Sequence, residues 1–168
     1  MTKPDRWFMD ERAFAFASLV LTKRNDVVVR AHAGTDMAID LLVEVLKDGK
    51  STLRFFGVQL VAYLDLPNSQ HADEQVLSHL PRERFESTLP LCVFVIGVRK
   101  PEGIYRWYVE PVVEDGRRVL KTEVKPSWQT LDEAGVARLI GQVNAYYDAP
   151  DGGSPPKPRG RHLKTEPG

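Results

Sequence analysis

The 168-residue chain has a single cysteine, Cys92, so no internal disulfide can form. That usage fits a reducing compartment, and the expected location is the cytoplasm. Cys92 sits in the apolar run Leu91-Cys92-Val93-Phe94-Val95-Ile96, without the polar neighbours that activate a thiol. No stretch approaches the ~18 apolar residues that span a bilayer, and the opening Met-Thr-Lys-Pro-Asp-Arg-Trp has no signal-like apolar core. A soluble protein with no membrane partner is expected. An excess of charge of one sign is missing as well. Twenty-three basic and 23 acidic residues cancel, which removes any global field drawing the chain onto nucleic acid. There is no Gly-rich phosphate loop, no Ser-His-Asp pattern and no Cys-His nucleophile, and His32 and His79 lack the spacing of zinc ligands.

What is present reads as one globular domain over residues 1–148. A flexible basic tail rich in proline and glycine follows over 149–168. Apolar spacing at Ala13, Phe14, Phe16, Ala17, Val20 and Leu21 predicts a helix over 9–24. Three strands follow, at 27–32, 37–46 and 53–64, the last two joined at Lys47-Asp48-Gly49-Lys50. A short helix is expected at 72–80 and a short turn at 82–87, then a buried strand at 89–98 and a sheet-edge strand at 104–109. A further short strand is expected at 118–124. Thr130-Leu131-Asp132-Glu133 reads as a capping box, with Thr130 as N-cap of a helix running to Tyr147. The whole is α+β: a central mixed sheet flanked by helices.

Chemistry concentrates in the second strand, where Asp36, Asp40 and Glu44 interrupt an apolar run, and in Phe56-Gly57-Val58-Gln59 on the third. An ionised carboxylate in such a setting needs a compensating partner. Four strand residues span about 13 Å, so Asp36, Asp40 and Glu44 cannot close on one ion. Asp40's partner has to come from the neighbouring strand. A loop over 47–52 sets Asp40 opposite Gln59; a two-residue loop sets it opposite Gly57, with Gln59 diagonal. Either way an amide oxygen comes near the carboxylate, the type of donor pair that suits Mg²⁺. The same residues would also serve as a polar network tying the sheet to the first helix, Asp36 as a turn residue, and Glu11 as a charge that suits a helix N-terminus.

Taken together, Glu11 on the first helix, Asp36-x-Ala38-Ile39-Asp40-x-x-Val43-Glu44, Phe56-Gly57-Val58-Gln59 and Tyr105-Arg106-Trp107 resemble the bacterial DUF4365 domain family of the PD-(D/E)xK nuclease superfamily. The resemblance covers roughly residues 8–113. It implies a restriction-endonuclease-like αβββαβ core, with Asp40 as metal-binding aspartate, Gln59 as second ligand and the Leu60 carbonyl as a third oxygen. It makes Glu11 the group that orients a metal-bound water, with Asp36 and Glu44 as additional site positions. The implied activity is Mg²⁺-dependent hydrolysis of DNA phosphodiesters. One position departs from the pattern: the lysine expected two residues after Gln59 is Val61, and valine can neither polarise a water nor stabilise phosphate charge. Arg12, Arg30 and His32 are the basic groups that could migrate into its role. Two readings stay open. One is a weakened or inactive nuclease; the other is a non-catalytic module on a degenerate nuclease fold, binding nucleic acid, a protein partner or a second copy of itself.

Overall fold

The computed structural model describes residues 7–32, 39–79, 88–122 and 127–152. In chain order these form α1 (Trp7–Thr22), β1 (Val27–Ala31), β2 (Leu41–Lys47), β3 (Lys50–Tyr63), α2 (Ser69–His79), β4 (Leu91–Gly97), β5 (Glu102–Glu114), β6 (Arg117–Lys121), β7 (Gln129–Thr130) and α3 (Glu133–Asp148). The strands make one mixed sheet in the order β1-β2-β3-β4-β5-β6, with β7 added to β5. β3 and β4 run parallel, and every other pairing is antiparallel. The class is α+β, as the pattern predicts.

Strand alternation sorts side chains onto two faces. Phe56, Val58, Phe94, Ile96, Tyr105 and Trp107 meet Ala13, Ala17 and Leu21 of α1 and Leu139, Ile140 and Val143 of α3 in the main core. On the other face Val61, Val93 and Val95 pack against Val76 of α2. Asn68 starts α2 by accepting the His71 N–H at 2.9 Å through its side chain.

The β2–β3 hairpin resolves both registers that the sequence leaves open. Asp48 and Gly49, at φ 52° and 70°, form a two-residue turn between Lys47 and Lys50. A bulge follows, with Leu53 held at φ 60°, and beyond it Leu41 pairs with Val58. The longer loop would have given that register, but Asp40 does not continue it to Gln59: its N–H bonds Val58 O at 2.8 Å. Arg54 locks this hairpin to the end of α3, bonding Asn144 Oδ1 at 3.0 Å and Asp148 Oδ1 at 2.6 Å. Its charge also suits the carbonyl end of that helix.

Several expectations are corrected. Thr130 does not cap α3; it pairs with Ile104 in β7, a strand without a clear sequence signal. Asp132 is the N-cap, its Oδ1 accepting the Gly135 N–H at 2.7 Å. The strand expected at a sheet edge lies inside, because β6 and β7 both return to β5. The tail does not leave the domain at residue 149. Pro150 O accepts the Arg118 N–H at 3.0 Å, and Arg118 pairs with Asp151 at 2.7 Å. Residues 153–168 and the turn expected at 82–87 lie outside the described residues.

Candidate functional site

Where β2 parts from β1 and β3, the backbone needs new partners, and Asp40 supplies them from one position before the strand. Its N–H donates to Val58 O at 2.8 Å, and its carbonyl accepts the His32 N–H at 2.9 Å. Its carboxylate Oδ2 accepts the Leu60 N–H at 2.7 Å. One residue thus ties the ends of β1 and β2 to β3. Asp10 and Glu11 approach from α1, so Asp40 faces a hollow of about 590 Å³ lined by Asp10, Glu11, Phe14, His32 and Leu60.

The residue keeps solvent access while its carboxylate is partly enclosed. Enclosure raises the Asp40 pKa; the Leu60 N–H opposes that rise and the nearby Asp10 charge adds to it. The electrostatic neighbour from α1 is therefore Asp10, which in the sequence stands out only as a first-turn charge, alongside the singled-out Glu11. A signal was present. Asp10 and Phe14 stand four residues apart and so share a helix face, and both line the hollow.

Folded Asp40 binds its proton more tightly than the unfolded chain does. Between the ordinary carboxylate pKa of about 3.9 and the raised folded value, stability falls as pH rises, and it stays lowered above that window. Asp40→Asn keeps an oxygen for the Leu60 N–H but does not titrate. The variant should gain on wild type as pH goes from 4 to 7, by up to about 1 kcal/mol given the solvent access. Thermal melts across that range measure the difference. A constant gap between the two proteins would refute the coupling.

The other sequence candidates separate. Gln59 alternates with Leu60, so its side chain lies on the α2 face with Val61; it does not line the Asp40 hollow. Its Oε1 is buried without a hydrogen-bond partner among the described residues. Glu44 is buried on β2 and accepts a hydrogen bond from Ser51 Oγ across the hairpin. That contact accounts for Glu44 as a structural group. Asp36 lies outside the described residues.

Among the three basic groups considered as replacements for the lysine, only His32 lines the hollow. Arg12 stacks over Phe8 at 5.5 Å and borders a separate apolar hollow with Leu19. Arg30 is exposed on β1. Val61 is 8% exposed and belongs to the apolar cluster with Val76, Val93 and Val95.

This arrangement does not fit the ion that the resemblance implies. One Asp40 oxygen is occupied by the backbone and Gln59 is turned to the other face. Among the described residues, no three His, Cys, Asp or Glu side chains converge as a metal-binding group. Comparison with family models, curated proteins and solved structures finds no match for this chain. The residues themselves carry the functional reading. Cys92 has no part in it: burial pushes its thiol well above the usual range. Among the described residues, no helix is long and apolar enough to cross a membrane.

Proposed function

We propose that this chain is a nuclease-like domain without hydrolytic activity, a non-catalytic interaction module of the DUF4365 type that engages a protein partner. The element order α1, β1–β3, α2, β4 supports the scaffold, because it follows the αβββαβ order of that superfamily. Glu11 and Asp40 lining one hollow support it further.

The loss of chemistry rests on one observation. The lysine position is filled by Val61, packed against Val76, Val93 and Val95, and the Asp40 hollow has His32 as its basic member. Among the described residues, neither a water-polarising ammonium nor an arginine for phosphate charge lines that hollow. Asp10, Glu11 and Asp40 also give the hollow an acidic wall. Such a wall repels a phosphate backbone and favours a basic group on a protein.

Labelled single- and double-stranded DNA incubated with the full chain in Mg²⁺ or Mn²⁺ tests both parts. No cleavage is expected, and no anisotropy rise beyond weak, salt-sensitive association. Cleavage that disappears in Asp40→Ala would restore the nuclease reading, and tight binding without cleavage would favour a nucleic-acid module.

A further inference from the structure

Gln59, Val93 and Arg106 stand side by side in one row across β3, β4 and β5. The row belongs to the face covered by α2, where the surrounding side chains are Val61, Val76 and Val95. Two polar groups in an apolar layer need partners. Arg106 has part of its requirement met. Its Nη1 donates to Asp73 Oδ1 at 2.7 Å, and the same oxygen accepts the Trp128 Nε1–H at 2.7 Å. The guanidinium also lies 5.6 Å from the Trp128 ring centroid, and its side chain is 10% exposed.

Two atoms of this row are left over: Arg106 Nε and Gln59 Oε1 are both buried, and neither has a hydrogen-bond partner among the described residues. They are complementary, since Nε–H can only donate and Oε1 can only accept. Adjacent strands lie about 4.8 Å apart, so the two residues stand about 10 Å apart with the short Val93 between them. Both side chains rise from the same face of the sheet, on either side of that valine.

We propose that a single water molecule is bound there, accepting from Arg106 Nε and donating to Gln59 Oε1. The chemistry selects the ligand. The occupant has to donate and accept at once, which a metal cation cannot do, and the guanidinium repels a cation in any case. A carboxylate or a fully ionised phosphate accepts but has nothing to donate to Oε1. Water meets both demands, and two or more polar partners are what buried waters require. The site assigns a role to Gln59 that owes nothing to Asp40: it closes a chain of hydrogen bonds from β3 through water and Arg106 to Asp73 of α2 and Trp128.

A crystal structure of the full chain, at a resolution that orders solvent, decides it. The expected result is a fully occupied water peak within hydrogen-bond distance of both atoms, lost in Gln59→Met. A direct Gln59–Arg106 contact with no water between them would overturn the assignment. A peak unchanged in Gln59→Met would overturn it too. Should that variant not fold, magnetisation transfer from bound water to the Arg106 Hε of the wild-type protein tests the same site, and its absence counts against the bound water.

Discussion

Val61→Lys should leave the protein about 3–5 kcal/mol less stable than wild type in denaturant titrations, and it should not confer cleavage of DNA. The substitution restores the residue that the nuclease pattern asks for, so the opposite result would be the natural expectation from sequence. The packing argues otherwise. Val61 is 8% exposed within an apolar cluster, and α2 closes over it through Val76. A lysine there either buries an ammonium among valines or forces the helix away from the sheet. Asp73, the carboxylate that α2 brings to Arg106, already accepts bonds from Arg106 and Trp128 at one oxygen. Asp40, the group that a catalytic lysine would assist, bonds Leu60 and faces the hollow beside α1. Val61→Ile separates charge from volume: it adds one methylene and should cost no more than about 1–3 kcal/mol. A lysine variant as stable as wild type, and able to cut DNA in Mg²⁺, would show that position 61 opens onto the Asp40 hollow.

The same two positions show how far sequence could reach. Period-two alternation was enough to put Gln59 and Val61 on one face and Leu60 on the other. Asp48-Gly49 was enough to locate the hairpin, because those residues tolerate positive φ. Nothing local marks Leu53 for φ 60°, yet the bulge there sets the rank at which Asp40 meets β3. The direction of the Asp40 carboxylate was equally hidden. It turns to the Leu60 N–H because β2 begins only at Leu41, and that donor lies beyond the last pair of the β2–β3 ladder. Asp10 and His32 join the hollow through the packing of α1 and the end of β1, which are long-range outcomes. Arg106 is similar: its row with Gln59 appears only once β4 is inserted between β3 and β5. The resemblance pointed to Glu11 and Asp40, and the structure brings these two to one hollow; it leaves Gln59 outside.

Gly135→Ala sets two effects against each other, and their magnitudes decide the sign. Gly135 lies in the first turn of α3, and in an ordinary helix position alanine is favoured over glycine by about 1 kcal/mol. Here an added Cβ would stand 2.0 Å from Thr130 O, 3.1 Å from the Tyr105 ring and 3.2 Å from Asp132 Oδ1. The nearest atom cannot move cheaply. Thr130 pairs with Ile104 in β7, and Leu131 N–H is bonded to Gly103 O at 2.8 Å, so the carbonyl is held between two anchors. Relief would require α3 to back away. That would loosen Asp132 Oδ1 from the Gly135 N–H and Tyr105 OH from Gly135 O, now at 2.7 and 3.1 Å. The steric cost is at the upper end of overpacking, so the net change should be a loss of about 3 kcal/mol. Equilibrium unfolding of Gly135→Ala beside Gly141→Ala measures it. Gly141 lies on the same helix with open space around its added Cβ, and alanine there should stabilise. Equal shifts in the two variants would mean that β7 does not hold Thr130 against the start of α3.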